Sequence, residues 1–133
     1  MPMRIVRLGS PRQRGEGLRI GTVRRPPRGV PKAEFASRDF YDVWLPALSP
    51  SAELVSSALK AAAEQDAVAW KAFAASFRKE MARPDTSHLL DLLAALSKHS
   101  ALSVGCYCED ERWCHRSVLR ELLLRRDADI VDA

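Results

Sequence analysis

The segment from Ala101 to Leu124, ALSVGCYCEDERWCHRSVLRELLL, decides the fold. It begins with a nearly continuous apolar run, which is typical of a central parallel strand covered on both faces. A charged turn, EDERW, follows, and then an apolar pattern with helical spacing that opens with CHRS. Open α/β sheets bind ligands beyond the carboxyl ends of their strands. The sequence therefore predicts a functional site at this strand-to-helix junction.

Three other stretches have the composition of short strands. Residues 4–8 and 18–23 are rich in aliphatic side chains and are followed by glycine or proline, and residues 128–131 predict a last short strand. A strand that follows a crossover helix winds right-handed. We predict one α/β domain over residues 1–133, with a mostly parallel sheet flanked by helices in a Rossmann-like three-layer arrangement.

Apolar stripes with helical spacing predict three helices between the second strand and the central one, and a fourth helix over residues 114–126. Residues 41–48 are predicted to form a short helical or irregular piece. Short polar side chains and prolines predict the starts of the three middle helices: Ser49–Pro50, Asp66, and Asp85 or Thr86.

Two segments are predicted to be irregular. Residues 9–17 are polar and glycine-rich and are expected to form a mobile loop. Residues 24–40 carry arginines and three prolines, which remove backbone donors and disfavour a helix at the preceding residues. We therefore expect a stiff, arginine-bearing loop to leave the second strand.

Composition argues for a reduced, cytoplasmic protein. No apolar run reaches the ~18 residues that a membrane span needs, and the N-terminus lacks the apolar core of a signal peptide. The three cysteines, at positions 106, 108 and 114, do not form a secreted disulfide framework. We expect free thiols and no membrane partner.

Positive charge is concentrated at the N-terminal end. Residues 1–38 contain nine Arg and one Lys against two Glu, a net charge of +8, whereas the remaining residues carry −4. An excess of this kind attracts phosphates, nucleic acid or other acidic ligands. Nucleic-acid binding through this part is one hypothesis, and it predicts a steep salt dependence.

Cys114 and His115 form the candidate catalytic pair. Cys114 falls in the first turn of the last helix, where the helix N-terminus and neighbouring cations favour a thiolate. A thiol-dependent enzyme would use Cys114 as nucleophile with His115 as its partner. The alternatives are a small semi-buried cysteine without chemistry and a histidine packed in the core.

Cys108, Cys114 and His115 also have the residue types of a transition-metal site. Five residues separate the two cysteines, which is not the spacing of a zinc knuckle. Cys106 lies two residues before Cys108, so the two side chains share one face of a strand. No particular cofactor follows from this pattern.

The arginine-bearing loop is expected to meet this junction. If the second strand and the central strand are parallel, their carboxyl ends open at the same edge, and four cations lie beside Cys108 and the start of the last helix: Arg24, Arg25, Arg28 and Lys32. Together with Arg116, they predict a site for a small anionic, phosphate- or nucleotide-like ligand. The alternative is that these cations pair with the carboxylates of residues 109–111.

Several segments resemble the bacterial and archaeal family called domain of unknown function 488. The matching segments are PPRGVPK at residues 26–32, the pairs Trp44–Leu45 and Pro50–Ser51, the helix with Trp70, Phe73 and Phe77, and the motif Cys108–Glu109 followed by Cys114–His115–Arg116–Ser117. The resemblance covers residues 3–131 and implies a compact α/β fold. It also implies that Cys108, Glu109, Arg116 and Ser117 belong to the ligand site, without implying a reaction.

Overall fold

The apolar run after Ala101 forms the central strand of a four-stranded parallel sheet in the computed structural model, which describes residues 2–131. The strands are β1 (Met3–Arg7), β2 (Leu18–Gly21), β3 (Val43–Trp44) and β4 (Leu102–Cys106), in the order β1-β4-β2-β3. Every residue of β4 is buried. The predicted α/β class and the central position of this strand are confirmed. Residues 1, 132 and 133 of the predicted domain lie outside the described residues.

Four α-helices accompany the sheet: α1 (Ala52–Glu64), α2 (Ala67–Met81), α3 (Pro84–Leu96) and α4 (His115–Arg125). The described part of the chain also contains three short 3-10 turns, at Lys32–Glu34, Pro46–Leu48 and Glu111–Trp113. No helix among residues 2–131 is long and apolar enough to cross a membrane.

The start predicted for the first helix is wrong by two residues. Ser49 donates its hydroxyl to the carbonyl of Pro46, at 2.8 Å, and so closes the preceding 3-10 turn. Ser51 is the N-cap instead, and it accepts from the backbone N–H of Leu54. The cap predicted at Asp66 is confirmed, because its carboxylate accepts from Ala69 N at 3.1 Å.

The short helical or irregular piece predicted over residues 41–48 is in part a strand. Val43 and Trp44 pair with β2 in parallel register. Two exposed residues at a sheet edge leave no alternation from which a strand could be predicted. The last strand, predicted over residues 128–131, is reduced to a single bridge between Met3 and Ile130.

The main core lies between one face of the sheet and the four helices. Ile20, Leu102 and Val104 project from that face against the apolar stripes of the helices. The helix residues with the deepest burial include Phe73, Phe77, Leu90, Leu119 and Leu123. The stripes of α2 and α4 are therefore core, as predicted, whereas Leu59 in the α1 stripe and Leu92 in the α3 stripe are exposed.

Loop segments cover the opposite face of the sheet. Arg19 is only 1% exposed there and forms a bidentate ion pair with Glu16, which is 2% exposed. Its guanidinium also donates to the carbonyls of Ser10 and Asp39. Tyr41 packs on Gly21, where a Cβ atom would lie 2.4 Å from the ring. The mobility predicted for residues 9–17 stays a prediction, but Glu16 at the end of that loop is firmly held.

The parallel register places the functional segments together. Gly21 at the end of β2 lies opposite Gly105 in β4. Thr22 then donates both its backbone N–H and its hydroxyl to the carbonyl of Gly105, each at 2.9 Å. The carboxyl ends of β2 and β4 therefore open at one edge, as the sequence predicts.

Candidate functional site

A cleft of about 900 Å³ opens at the carboxyl edge of the sheet, and we call it the edge cleft. One wall is the segment from Val23 to Arg28, and the other is the exposed side of α1 with Val55 and Leu59. Phe40, Tyr107 and Trp113 add aromatic surface. The remaining lining residues include Cys106, Cys108, Cys114 and His115.

The three cysteines meet at the floor of the edge cleft. All of them are free, and Cys106 and Cys114 are buried whereas Cys108 is half-buried. The Sγ atoms of Cys106 and Cys108 lie 3.9 Å apart, which confirms that the two side chains share a face. Cys114 is the N-cap of α4 and is 1% exposed. The strand end and the helix start thus bring their sulfur atoms together.

His115 has a defined orientation next to these sulfur atoms. Its Nε2 lies 2.7 Å from the carbonyl oxygen of Thr22, which can only accept, so Nε2 carries the proton. Its Nδ1 is then the unprotonated nitrogen, 3.9 Å from Cys114 Sγ. The edge of Phe77 packs against the ring. His115 is therefore both packed in the core and directed at the thiols.

The thiols differ in their acidity. Hydrogen bonds from the thiols of Cys106 and Cys108 lower the pKa of Cys114 below its usual value. Hydrogen bonds with Cys108 and Cys114, together with burial, raise the pKa of Cys106. For Cys108, a hydrogen bond with Cys106 opposes the effects of Cys114 and burial, which raise the pKa to about 11. The arrangement favours a thiolate at Cys114 among three sulfur atoms.

Arg116 does not occupy the position predicted for an anion fork. It is 4% exposed and does not line the edge cleft. Its Nε donates to Cys114 Sγ at 3.4 Å, and its Nη2 donates to the carbonyl of Cys108. A buried guanidinium has to satisfy its donors inside the protein. Arg116 is consequently bonded to both cysteines and is not a lining residue of the edge cleft.

The cations of the arginine-bearing segment divide into two groups. Arg24 lines the edge cleft but is held by the carbonyl of Pro50, with its Nε at 3.0 Å. Arg25 and Arg28 also line the cleft, and their guanidinium groups have no hydrogen-bond or ion-pair partner among residues 2–131. Lys32 is exposed in a 3-10 turn and is not a lining residue.

The acidic turn after β4 pairs with other cations. Arg7 approaches Glu109 at 3.6 Å, Arg112 binds Asp110 at 2.9 Å, and Arg120 binds Glu111 at 2.6 Å: these pairs involve none of the cations of residues 24–32. The alternative that this turn neutralises the arginine-bearing segment is therefore wrong.

Two residues that the family resemblance implied as ligand contacts lie elsewhere. The side chain of Glu109 is 84% exposed outside the edge cleft, and Ser117 donates its hydroxyl to the carbonyl of Cys114. Sequence reasoning missed the part of Thr22, which orients His115, and the wall formed by α1. The unusual exposure of Leu59 is visible only in the structure.

A family model supports the resemblance. The model for DUF488-N3a, described as the active DUF488-N3 subclade, matches residues 3–127. The chain belongs to the DUF488-N3a family. The matched range includes both walls and the floor of the edge cleft. Comparisons of this DUF488-N3a chain with curated proteins and with solved structures found no match.

Proposed function

We propose that this DUF488-N3a protein binds a small, nucleotide-like molecule in the edge cleft, with its anionic group at Arg25 and Arg28. The observation that carries the proposal is the position of these two guanidinium groups at a cleft, free of internal partners among residues 2–131. Arginine is suited to forked contacts with phosphate and carboxylate oxygens. We call the part of the edge cleft formed by Arg25 and Arg28 the rim, and the phosphate-like group would lie there.

The size and lining of the edge cleft support a ligand with an apolar, flat part. Its volume of about 900 Å³ falls within the range of small-molecule pockets. Prolines, aliphatic side chains of α1 and three aromatic rings make up half of the lining residues. Aromatic rings favour offset or edge contacts with flat groups. An organic ring system would therefore gain more from the cleft than inorganic phosphate would.

The position of the rim is maintained by contacts between segments. Tyr107, which follows β4, donates its hydroxyl to the carbonyl of Arg25 at 2.9 Å. Trp44 in β3 donates its indole N–H to the carbonyl of Val23 at 2.7 Å. These bonds attach the beginning of the arginine-bearing segment to the sheet and to the residue after β4, which reduces the ordering cost of binding.

A small ligand fits the charge distribution better than nucleic acid does. Several of the ten cations in residues 1–38 are occupied by internal partners: Arg7, Arg12, Arg19 and Arg24. This internal pairing reduces the basic surface that a phosphate backbone could contact. The unpaired guanidinium groups of Arg25 and Arg28 are instead collected at one cleft.

The double variant Arg25→Ala/Arg28→Ala tests this proposal. Adenosine monophosphate is titrated into the protein by calorimetry, with inorganic phosphate as a second probe. The nucleotide is expected to bind more tightly than phosphate, and the double variant should weaken nucleotide binding by ~100-fold, since a hydrogen bond to a charged group contributes about 1.5–3 kcal/mol. The exposed, unpaired Arg38 lies outside the cleft, so Arg38→Ala is the matched control.

Two results would contradict the proposal. Equal nucleotide affinities of the double variant and of Arg38→Ala would show that the rim does not recognise the anion. Tighter binding of duplex DNA than of the nucleotide, with an affinity that falls steeply with salt, would favour the nucleic-acid hypothesis.

A further inference from the structure

We propose that Cys106, Cys114 and His115 bind one transition-metal ion of the zinc class at the floor of the edge cleft. The two Sγ atoms and one ring nitrogen of His115 all lie within 4.8 Å of one another, and all three residues are buried. They come from the end of β4 and the start of α4, which the parallel fold holds together. Thiolates and imidazole are the ligands that zinc prefers.

The separations are close to those of a tetrahedral site. A zinc–sulfur distance of ~2.3 Å implies sulfur atoms about 3.8 Å apart around a tetrahedral ion. Cys114 Sγ and His115 Nδ1 are separated by 3.9 Å, and so are the Sγ atoms of Cys106 and Cys108. Small side-chain movements would therefore bring these atoms to bonding distance of one ion.

The orientation of His115 supports metal binding independently of the distances. Its Nε2–H donates to the carbonyl of Thr22, so the lone pair of Nδ1 faces the sulfur atoms. Histidine ligands typically donate their other ring N–H to a carbonyl or carboxylate, which fixes the tautomer and the ring orientation. Arg116 similarly orients Cys114 through its bond to Sγ.

Cys108 is assigned as the fourth ligand of the tetrahedral site. Its sulfur lies beside that of Cys106, and its side chain faces the edge cleft. The site therefore differs from the set predicted from the sequence, because Cys106 joins it as a ligand. In a strand the two side chains point the same way, so both reach the ion from β4 and the residues directly after it.

The metal proposal and the thiol-enzyme hypothesis assign different roles to Cys114. A nucleophile has to reach its substrate, and although Cys114 lines the edge cleft it is only 1% exposed, with its sulfur beside His115 Nδ1 and Arg116 Nε. A bound ion would explain why these groups converge. The inference goes beyond the binding of an anionic ligand, and it is tested with metal ions alone.

The test begins with protein purified without chelators and analysed for zinc and iron. The metal-free, reduced protein is then titrated with Co²⁺, which reports tetrahedral thiolate coordination through its charge-transfer and d–d absorption bands. We expect one ion per chain. Cys106→Ser, Cys114→Ser and His115→Asn should each weaken binding by at least ~100-fold, since even loss of a supporting residue costs 10–100-fold. His99→Asn, at an exposed histidine, is the matched control.

A second measurement, protection of the thiols, uses the protein without substitutions and so does not depend on whether a variant folds. Saturating zinc is expected to slow alkylation of Cys106, Cys108 and Cys114, as measured by mass spectrometry. Identical alkylation with and without zinc, or the absence of thiolate bands with cobalt in folded protein, would overturn the proposal. A cobalt spectrum that Cys108→Ser leaves unchanged would overturn the assignment of the fourth ligand.

Discussion

Replacing Gly17 by alanine is expected to lower the free energy of unfolding by at least ~3 kcal/mol, because it combines left-handed backbone strain with a clash. Gly17 has a φ of 78°, and an added Cβ would lie 2.1 Å from the carbonyl oxygen of Ala101. A backbone oxygen just before β4 cannot move without displacing the central strand. Urea denaturation followed by circular dichroism measures the effect.

Gly15→Ala is the matched control for this prediction. Gly15 has the same φ of 78°, but no atom lies within 4 Å of its added Cβ. The control should therefore cost only the strain of a left-handed alanine, about 1–2 kcal/mol. Equal losses in the two variants would show that the loop withdraws from Ala101 at no cost, and the predicted clash would be wrong.

Glu16→Gln is expected to lower the free energy of unfolding by about 3–5 kcal/mol, the usual cost of breaking a buried ion pair. The amide can no longer neutralise Arg19, whose guanidinium stays buried and charged. Its remaining partners are the carbonyls of Ser10 and Asp39, which carry no net charge. Denaturant titration at neutral pH provides the measurement.

The comparison for this ion pair is Asp91→Asn. Asp91 pairs with Arg126 at 2.8 Å, but its side chain is 60% exposed. Exposed pairs contribute roughly 0–1 kcal/mol, so the control should change stability little. A loss for Glu16→Gln as small as that of the control would mean that water reaches Arg19, contrary to its observed burial.

The fold could be predicted where a pattern extends over many residues. The apolar run of β4, the stripe of α2 and the Asp66 cap each depend on several neighbouring positions or on a specific capping side chain. β3 could not be predicted, since its two residues acquire their conformation from pairing with β2. The N-cap of α1 is Ser51 and not the predicted Ser49, because the Ser49 hydroxyl bonds to the carbonyl of Pro46. The spacing of the apolar residues does not show which of the two serines is the cap.

The location of the candidate site could be predicted from the sequence, but the role of each residue in it could not. The sequence predicts that parallel strands place Arg25, Arg28 and Cys114 at one edge, and in the structure all three line the edge cleft. The sequence did not show that Arg116 would be buried against Cys108 and Cys114. Such roles depend on which donors are left unsatisfied after packing, and this is a property of the folded chain.

The strand order has a consequence for biosynthesis. β1 and β2 both pair with β4 and not with each other, so each waits for a partner that the ribosome makes about a hundred and about eighty residues later, respectively. Closing loops of this length costs chain entropy before any strand pairing can stabilise the structure, and this slows folding. In the nascent N-terminal half, β1 and the other edge of β2 therefore stay unpaired until β4 has been made, and unpaired strand edges are prone to association.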